Sequence, residues 1–275
     1  MTPLVKWPGG KQRLLRHLLP FVSRCKGTYF EPFFGGGAVF FSIIDNPEIR
    51  LKSAVLCDSN EELITCYSAV KASPAEVNRA LDPYRDKIRD KEFYDRVRRM
   101  DVRELSQAER AARFIYLNRT CFNGLWRVNA KGQFNVPFGG NKIAVKIPDL
   151  QKLWAASKAL SRAELICADF TEATKTARWG DFVYFDPPYD GTFTGYTGEG
   201  FDWGDQERVV ETAFRLRDLG VDVLITNSDT PRINALYSGF NRATIEARYL
   251  ITAKRKPHVN HLLAFAPGIP PRGLR

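Results

Sequence analysis

The apolar run Asp181-Phe182-Val183-Tyr184-Phe185 ends in Asp186-Pro187-Pro188-Tyr189. Two consecutive prolines remove two amide donors and stiffen the chain. What remains is the Asp186 carboxylate, the Pro187 carbonyl and the π face of Tyr189. Two rigid acceptors beside a ring match an aromatic exocyclic amine, such as that of adenine or cytosine. Such an amine has two hydrogens to donate, but its lone pair is delocalised into the ring. Hydrogen bonds from both hydrogens would favour a pyramidal nitrogen whose lone pair can meet an electrophile, and the acceptors would stabilise the positive charge that then develops. Leaving either N–H unpaired is costly, which makes the arrangement selective.

A second group of residues suits a ligand that lacks phosphates. Tyr29-Phe30-Glu31 reads as a buried strand and runs directly into Pro32-Phe33-Phe34-Gly35-Gly36-Gly37. Three adjacent glycines turn tightly and allow close approach of a ligand. They lack both the spaced glycines of dinucleotide folds and the Gly-Lys-Ser/Thr of a phosphate loop. The next strand, Ala54-Val55-Leu56-Cys57, ends at Asp58, 21 residues after Gly37. A carboxylate there can accept from the two hydroxyls of a ribose. Asp169-Phe170, after the apolar Leu165-Ile166-Cys167-Ala168, offers a carboxylate and a ring edge to the base of the same ligand.

The elements that carry these groups fall into three regions. To about residue 67 the chain reads strand, glycine turn, apolar helix start and strand, half of a doubly wound sheet. From about 68 to 160 it becomes helical and charged, with 11 Lys/Arg and 7 Asp/Glu between Arg85 and Arg119. Asn123-Gly124, Lys131-Gly132 and Gly139-Gly140-Asn141 then mark turns of a hairpin-like stretch. Alternating α/β texture returns with strands at Asp181–Phe185 and Val221–Ile225 and a helix from Gln206 to Leu219. Residues from Gly239 to Tyr249 and Leu262 to Phe265 are expected to close the sheet as an antiparallel pair, and the tail from Pro267 is expected to be loose.

A chain of 275 residues with net charge +10 buries a sizeable core and favours a polyanionic partner. Membrane-spanning, collagen-like and wholly disordered readings are excluded, since no apolar run approaches the length of a membrane span. Five unpaired-looking cysteines and no apolar leader at Met1–Lys6 point to a reducing, cytoplasmic setting. Three histidines, with His258 and His261 apart from any cysteine cluster, give no support for a metal site.

Further segments complete an ordered set: Lys6-Trp7-Pro8-Gly9-Gly10-Lys11, Asp58-Ser59-Asn60, Leu117-Asn118-Arg119, Phe122-Asn123-Gly124-Leu125, Phe134-Asn135-Val136-Pro137-Phe138-Gly139 and Phe193-Thr194-Gly195-Tyr196. With Phe30–Gly37 and Gly180–Tyr189 they resemble the Dam-type (D12 class) DNA adenine N6-methyltransferases, and the likeness runs from Val5 to Ala266. The resemblance implies an α/β fold: a Rossmann-like methyltransferase sheet with helices on both faces and an inserted, mostly helical target-recognition domain. The core would occupy 1–67 and 161–275, and the insert 68–160. The implied cofactor is S-adenosyl-L-methionine. Lys11 would approach its carboxylate, Phe33, Gly35, Gly36 and Gly37 would wrap its methionine part with Trp7 packed on that loop, Asp58 would hold its ribose, and Asp169 and Phe170 would meet its adenine. Asp186, Pro187 and Tyr189 would receive the flipped target adenine as the catalytic group. Arg119, Asn123 and Arg127 would contact double-stranded DNA.

No membrane and no structural metal enter this reading. A monomer or weak dimer is expected, and the likeness leaves room for a restriction endonuclease encoded separately. Two departures stand out. The chain reaches Phe193-Thr194 quickly after Tyr189, where many relatives carry a longer loop. In Arg255-Lys256-Pro257-His258-Val259-Asn260-His261-Leu262, His261 stands where relatives usually carry glutamate. From Pro231 onward there are 8 Lys/Arg against the single acid Glu246, an excess suited to a DNA backbone. The acceptor geometry itself serves cytosine N4 as well as adenine N6, and a catalytically silent DNA-binding protein on the same scaffold is the remaining alternative.

Overall fold

A computed structural model describes residues 2–49, 51–140, 145–190, 200–247 and 259–266. Phe193–Tyr196, the Arg255–His258 part of the altered segment, the stretch from 248 to Tyr249 and the tail from Pro267 lie outside them.

Seven strands form one sheet: β1 (Thr28–Glu31), β2 (Ser53–Asp58), β3 (Ala163–Cys167), β4 (Phe182–Phe185), β5 (Asp222–Ser228), β6 (Asn241–Ala247) and β7 (Val259–Ala266), in the order β3-β2-β1-β4-β5-β7-β6. The first five are parallel, whereas β7 runs antiparallel to both β5 and β6. The mixed α/β architecture and the closing antiparallel pair agree with the sequence. Order reverses between β1 and β4, so the crevice at their carboxyl ends is where such a sheet receives a ligand.

The helices are α1 (Leu15–Val22), α2 (Phe40–Ile43), α3 (Glu61–Ala72), α4 (Pro74–Arg85), α5 (Lys91–Arg98), α6 (Gln107–Thr120), α7 (Leu150–Leu160), α8 (Phe170–Ala173), α9 (Trp203–Asp218) and α10 (Pro231–Leu236). Alternation along the strands divides the sheet into two faces. Tyr29, Leu56, Phe182, Tyr184 and Leu263 join a core with residues of α1 to α7. Phe30, Val55, Val183, Phe185 and Leu262 join a second core with residues of α9 and α10. A strand buried on both faces has to be apolar throughout, and β4 with its run Phe-Val-Tyr-Phe is. Among the described residues, no helix is long and apolar enough to cross a membrane.

Residue 67, the expected edge of the insert, lies within α3, and residue 160 closes α7. Val77, Leu81, Tyr94 and Phe114 from the region between share the core of Tyr29 and Leu56. Much of that region's positive charge is used locally. Arg110 pairs with Glu61 and Glu62, Arg103 with Asp101, and Lys91 with Asp95. The Arg113 guanidinium is buried against the carbonyls of Val97 and Arg98 at 3.0 and 2.9 Å.

Helix α6 has a second task, because its C-terminal turn fixes the N-terminal segment. Fully buried Asn118 accepts from the Lys6 N–H at 2.8 Å and donates to the Lys6 carbonyl at 2.7 Å. Arg119 donates to the Leu4 carbonyl through Nε at 3.0 Å and also through Nη2. Replacing Asn118 with alanine strands both main-chain groups of Lys6. Chemical denaturation of Asn118→Ala is expected to show a loss of about 2 kcal/mol, the cost of buried groups left unpaired.

Candidate active site

A cavity of about 1320 Å³ opens at the carboxyl ends of β1 to β4. It exceeds the roughly 300–1,000 Å³ usual for one small ligand. Its walls contain all nine residues expected at the cofactor, the three expected at the target base, and Arg119. Asn123 and Arg127 lie apart from it. They belong to the stretch after α6, where isolated antiparallel bridges Cys121–Phe138 and Val128–Phe134 form the expected hairpin-like unit. Arg127 donates to Asn135 Oδ1 at 2.7 Å, and exposed Asn123 adopts a left-handed backbone with φ 56°. Arg119, expected on DNA, has its guanidinium on the Leu4 carbonyl at the cavity wall.

The glycine turn is shaped by its neighbours. Gly35 and Gly37 have φ of 49° and 69°, a region that L side chains rarely adopt. A Cβ on Gly35 would lie 2.6 Å from the Trp7 indole, and one on Gly37 would lie 2.6 Å from the Phe34 ring. These glycines therefore admit aromatic packing against the turn. The turn is tied to β2 by Phe34 N–H on the Cys57 carbonyl at 2.8 Å and by Gly35 N–H on Asp58 Oδ2 at 2.9 Å.

Asp58 Oδ1 accepts from the Asn60 N–H at 2.9 Å, so each carboxylate oxygen has one backbone donor and room for another. Burial outweighs those donors and pushes its carboxyl up to about 6. Beyond β3, Asp169 caps α8 through the Thr171 N–H at 2.9 Å and pairs with Arg208 at 2.8 Å. Burial raises its carboxyl, but Thr171 and Arg208 together outweigh that and hold it below its ordinary value. The Arg208 guanidinium also lies 4.8 Å from the Phe170 ring centre. Phe33 contacts Phe170 and Phe201 at ring separations of 5.2 and 5.8 Å, which gives the cavity an aromatic slot.

At the tip of β4, Asp186 meets buried Lys11, with Nζ 2.6 Å from Oδ1. Thr226 Oγ1 donates to the same oxygen at 2.7 Å and lies 3.0 Å from the Tyr184 hydroxyl. No other described residue donates to Asp186, so Oδ2 remains an accessible acceptor. The Pro188 carbonyl is taken by Gln206 Nε2 at 2.7 Å, and Gln206 is held by Asn227 at 2.9 Å. The Pro187 carbonyl has no donor among the described residues. Two fixed acceptors thus remain. Lys11 Nζ also bonds the Gly9 carbonyl at 2.7 Å and sits 4.7 Å from the centre of the Tyr189 ring.

Residues 7–251 match the family model described as D12 class N6 adenine-specific DNA methyltransferase. The chain belongs to that family. This methyltransferase is 40% identical to the type II methyltransferase M1.LlaDCHI of Lactococcus lactis subsp. cremoris, over 90% of this chain and 88% of the relative. It is 36% identical to the type II methyltransferase M.MjaIII of Methanocaldococcus jannaschii, over 96% and 98% of the two chains. With the DNA adenine methylase of Haemophilus influenzae the identity is 31%, over 95% and 92%. The enzyme is thus a site-specific DNA methyltransferase that uses S-adenosylmethionine and modifies adenine N6. Membership decides between adenine and cytosine, which two acceptors alone left open.

Sequence reading passed over several residues of this methyltransferase's site. Thr226 and Asn227 are the polar end of an apolar strand, a signal that could have singled them out. Gln206 had no local signal at all. Glu31 was legible only as a strand end, yet it is buried and accepts from the Tyr29 hydroxyl at 2.9 Å. Burial pushes its carboxyl up to about 8 against that hydrogen bond, with the Asp186 charge adding to the rise. Because the folded state holds this proton more tightly than the unfolded chain, its contribution to stability is full below about 4.5 and is lost as pH rises towards 8. Glu31→Gln removes that loss. The melting temperature of Glu31→Gln relative to wild type is expected to climb between those limits, and a constant difference would contradict a raised carboxyl.

Proposed function

We propose that the two open acceptors at the tip of β4 hold the amino group of the target adenine. Asp186 Oδ2 takes one N–H, the Pro187 carbonyl takes the other, and the purine stacks on Tyr189. The observation that carries this reading is that Lys11 and Thr226 both occupy Asp186 Oδ1 while Gln206 occupies the neighbouring Pro188 carbonyl. Among the described residues, Asp186 Oδ2 and the Pro187 carbonyl are left without a donor.

The other side of the cavity fits S-adenosylmethionine, which supplies an electrophilic methyl group on sulfur. Asp58, with one donor on each oxygen, accepts the two ribose hydroxyls. Phe33, Phe170 and Phe201 enclose the adenine, with Arg208 covering the slot from α9. The turn at Gly35–Gly37 follows the methionine part and rests on Trp7. Lys11 has three ammonium hydrogens; Gly9 and Asp186 take two, and the third is assigned to the cofactor carboxylate. Asp186 and Pro187 bond the amine so that its lone pair turns towards the methyl group. They also stabilise the positive charge that arrives on nitrogen.

The helices α4–α7 and the hairpin-like stretch from Cys121 to Phe138 form the DNA-recognising part in this reading, with Asn123 and Arg127 on the hairpin. Net charge of +10 supports a strong contribution from phosphate contacts.

Three measurements test the assignment. In Asp186→Asn the Oδ1 contacts can persist, but a donor replaces the open acceptor. Its kcat is expected to fall by about 10²-fold or more, while cofactor affinity changes little. Retained turnover would remove Asp186 from the chemistry. Since Asp58 must be ionised to accept two hydroxyls, the cofactor Kd is expected to rise as pH falls through about 6, and Asp58→Asn to flatten that dependence. DNA affinity is expected to fall steeply and log-linearly with salt concentration; a flat response would separate the protein's charge from its substrate.

A further inference from the structure

His261 lies in the middle of three hydrogen-bonded strands, in register with Ser228 of β5 and Ile245 of β6, and only 4% of it is exposed. A polar side chain at such a position needs a partner. Its Nδ1 is 3.1 Å from the Tyr189 hydroxyl, and the two rings meet edge to face at 5.5 Å with an interplanar angle of 70°. The same histidine lines the cavity at the base-binding end. Nothing in the methyl transfer described above requires an imidazole there.

Tyr189 does require something to fix it. Pro187, Pro188 and the Gln206 bond pin its main chain, but none of them sets its two side-chain torsions. Lys11 approaches the ring face, and a cation beside an aromatic ring draws density from it, which makes the phenol a stronger donor. We propose that His261 is a positioning residue: its Nδ1 accepts the Tyr189 hydroxyl and so fixes the plane on which the target adenine stacks. A histidine anchored in a paired central strand sets that plane from the rigid sheet. Burial, reinforced by the positive charge of Lys11, pushes the imidazole down to about 4. The ring is therefore neutral at physiological pH and retains an acceptor nitrogen. This inference rests on the reading of Tyr189 as the stacking platform.

The test uses the full chain, unmethylated genomic DNA and S-adenosylmethionine, with kcat, KM for DNA and cofactor Kd measured separately. His261→Leu removes the acceptor, His261→Asn restores one near Nδ1, and Tyr189→Phe removes the hydroxyl alone. The expected result is that His261→Leu lowers kcat about tenfold, the worth of one hydrogen bond, with cofactor Kd unaltered. His261→Asn should recover most of that loss. In the Tyr189→Phe background, His261→Leu should cost less than about twofold, because the two substitutions delete the same bond. Asparagine as damaging as leucine, or effects that multiply, would overturn the proposal. Should the leucine variant not fold, Tyr189→Phe decides: a similar loss of kcat supports the shared bond and wild-type kcat overturns it. Tyr189→Ala separates the two readings. If it methylates normally, the stacking platform fails and the role of His261 with it; if it is inactive while His261→Leu works at the wild-type rate, only the role of His261 fails.

Discussion

The Lys11–Asp186 pair is the contact on which the arrangement of the site depends. A carboxylate withdrawn from water is stable only if a charge or several donors compensate it. Asp186 has Lys11 and Thr226, and both reach the same oxygen. The N-terminal segment that leads to Lys11 is clamped onto α6 by Asn118 and Arg119. The middle region therefore takes part in building the β4 end of the cavity. It supplies the helix that holds the segment that carries the ammonium. Glu31 fits the same logic. With its carboxyl raised to about 8, it leaves Lys11 facing one carboxylate rather than two.

Much of this was legible in the sequence because it is local. A strand that ends in Asp-Pro-Pro-Tyr, a strand that ends in a glycine turn and a strand that ends in aspartate each announce a ligand at the carboxyl edge of a parallel sheet. The antiparallel closing pair was expected from the stretches at Gly239–Tyr249 and Leu262–Phe265. What was hidden depends on contacts between distant residues. Lys11 and Asp186 are far apart in the chain, and nothing in either segment states that they meet. The resemblance set Arg119 against DNA. Its guanidinium also donates to the Leu4 carbonyl, a contact with a distant residue that no motif states. The glycines were read for ligand approach, while the structure shows that Gly35 and Gly37 also make room for Trp7 and Phe34. Gln206 meets Asn227 and the Pro188 carbonyl only through tertiary packing, and no short motif marks it.

The boundaries of the middle region show the same limit differently. A change of texture near residue 68 is real, since charge density rises and strands stop. Yet α3 runs through that point, because a helix continues as long as its buried face does. Leu63, Tyr67 and Val70 of α3 belong to the same core as Val77 and Leu81 of α4. Sequence texture reports what faces water, whereas continuity of the core is decided by the other side of each helix.

The proposed division of the cavity follows from where the sheet order reverses. The tips of β1, β2 and β3 present Asp58, the glycine turn and the aromatic slot, groups that in this division hold a ligand without reacting with it. The tip of β4, backed by β5 and β7, presents acceptors fixed by Thr226, Gln206 and Asn227. Methyl transfer moves one positive charge from the donor to the adenine nitrogen, so the total charge within the cavity is unchanged. A uniform field would stabilise the start and the end of that step alike and leave the barrier as it was. A carboxylate or a carbonyl placed nearer to the nitrogen than to the donor makes the charge more stable where it arrives. In the proposed assignment Asp186 stands at that end, on the far side of the reversal point from Asp58, and Lys11 takes one of its oxygens.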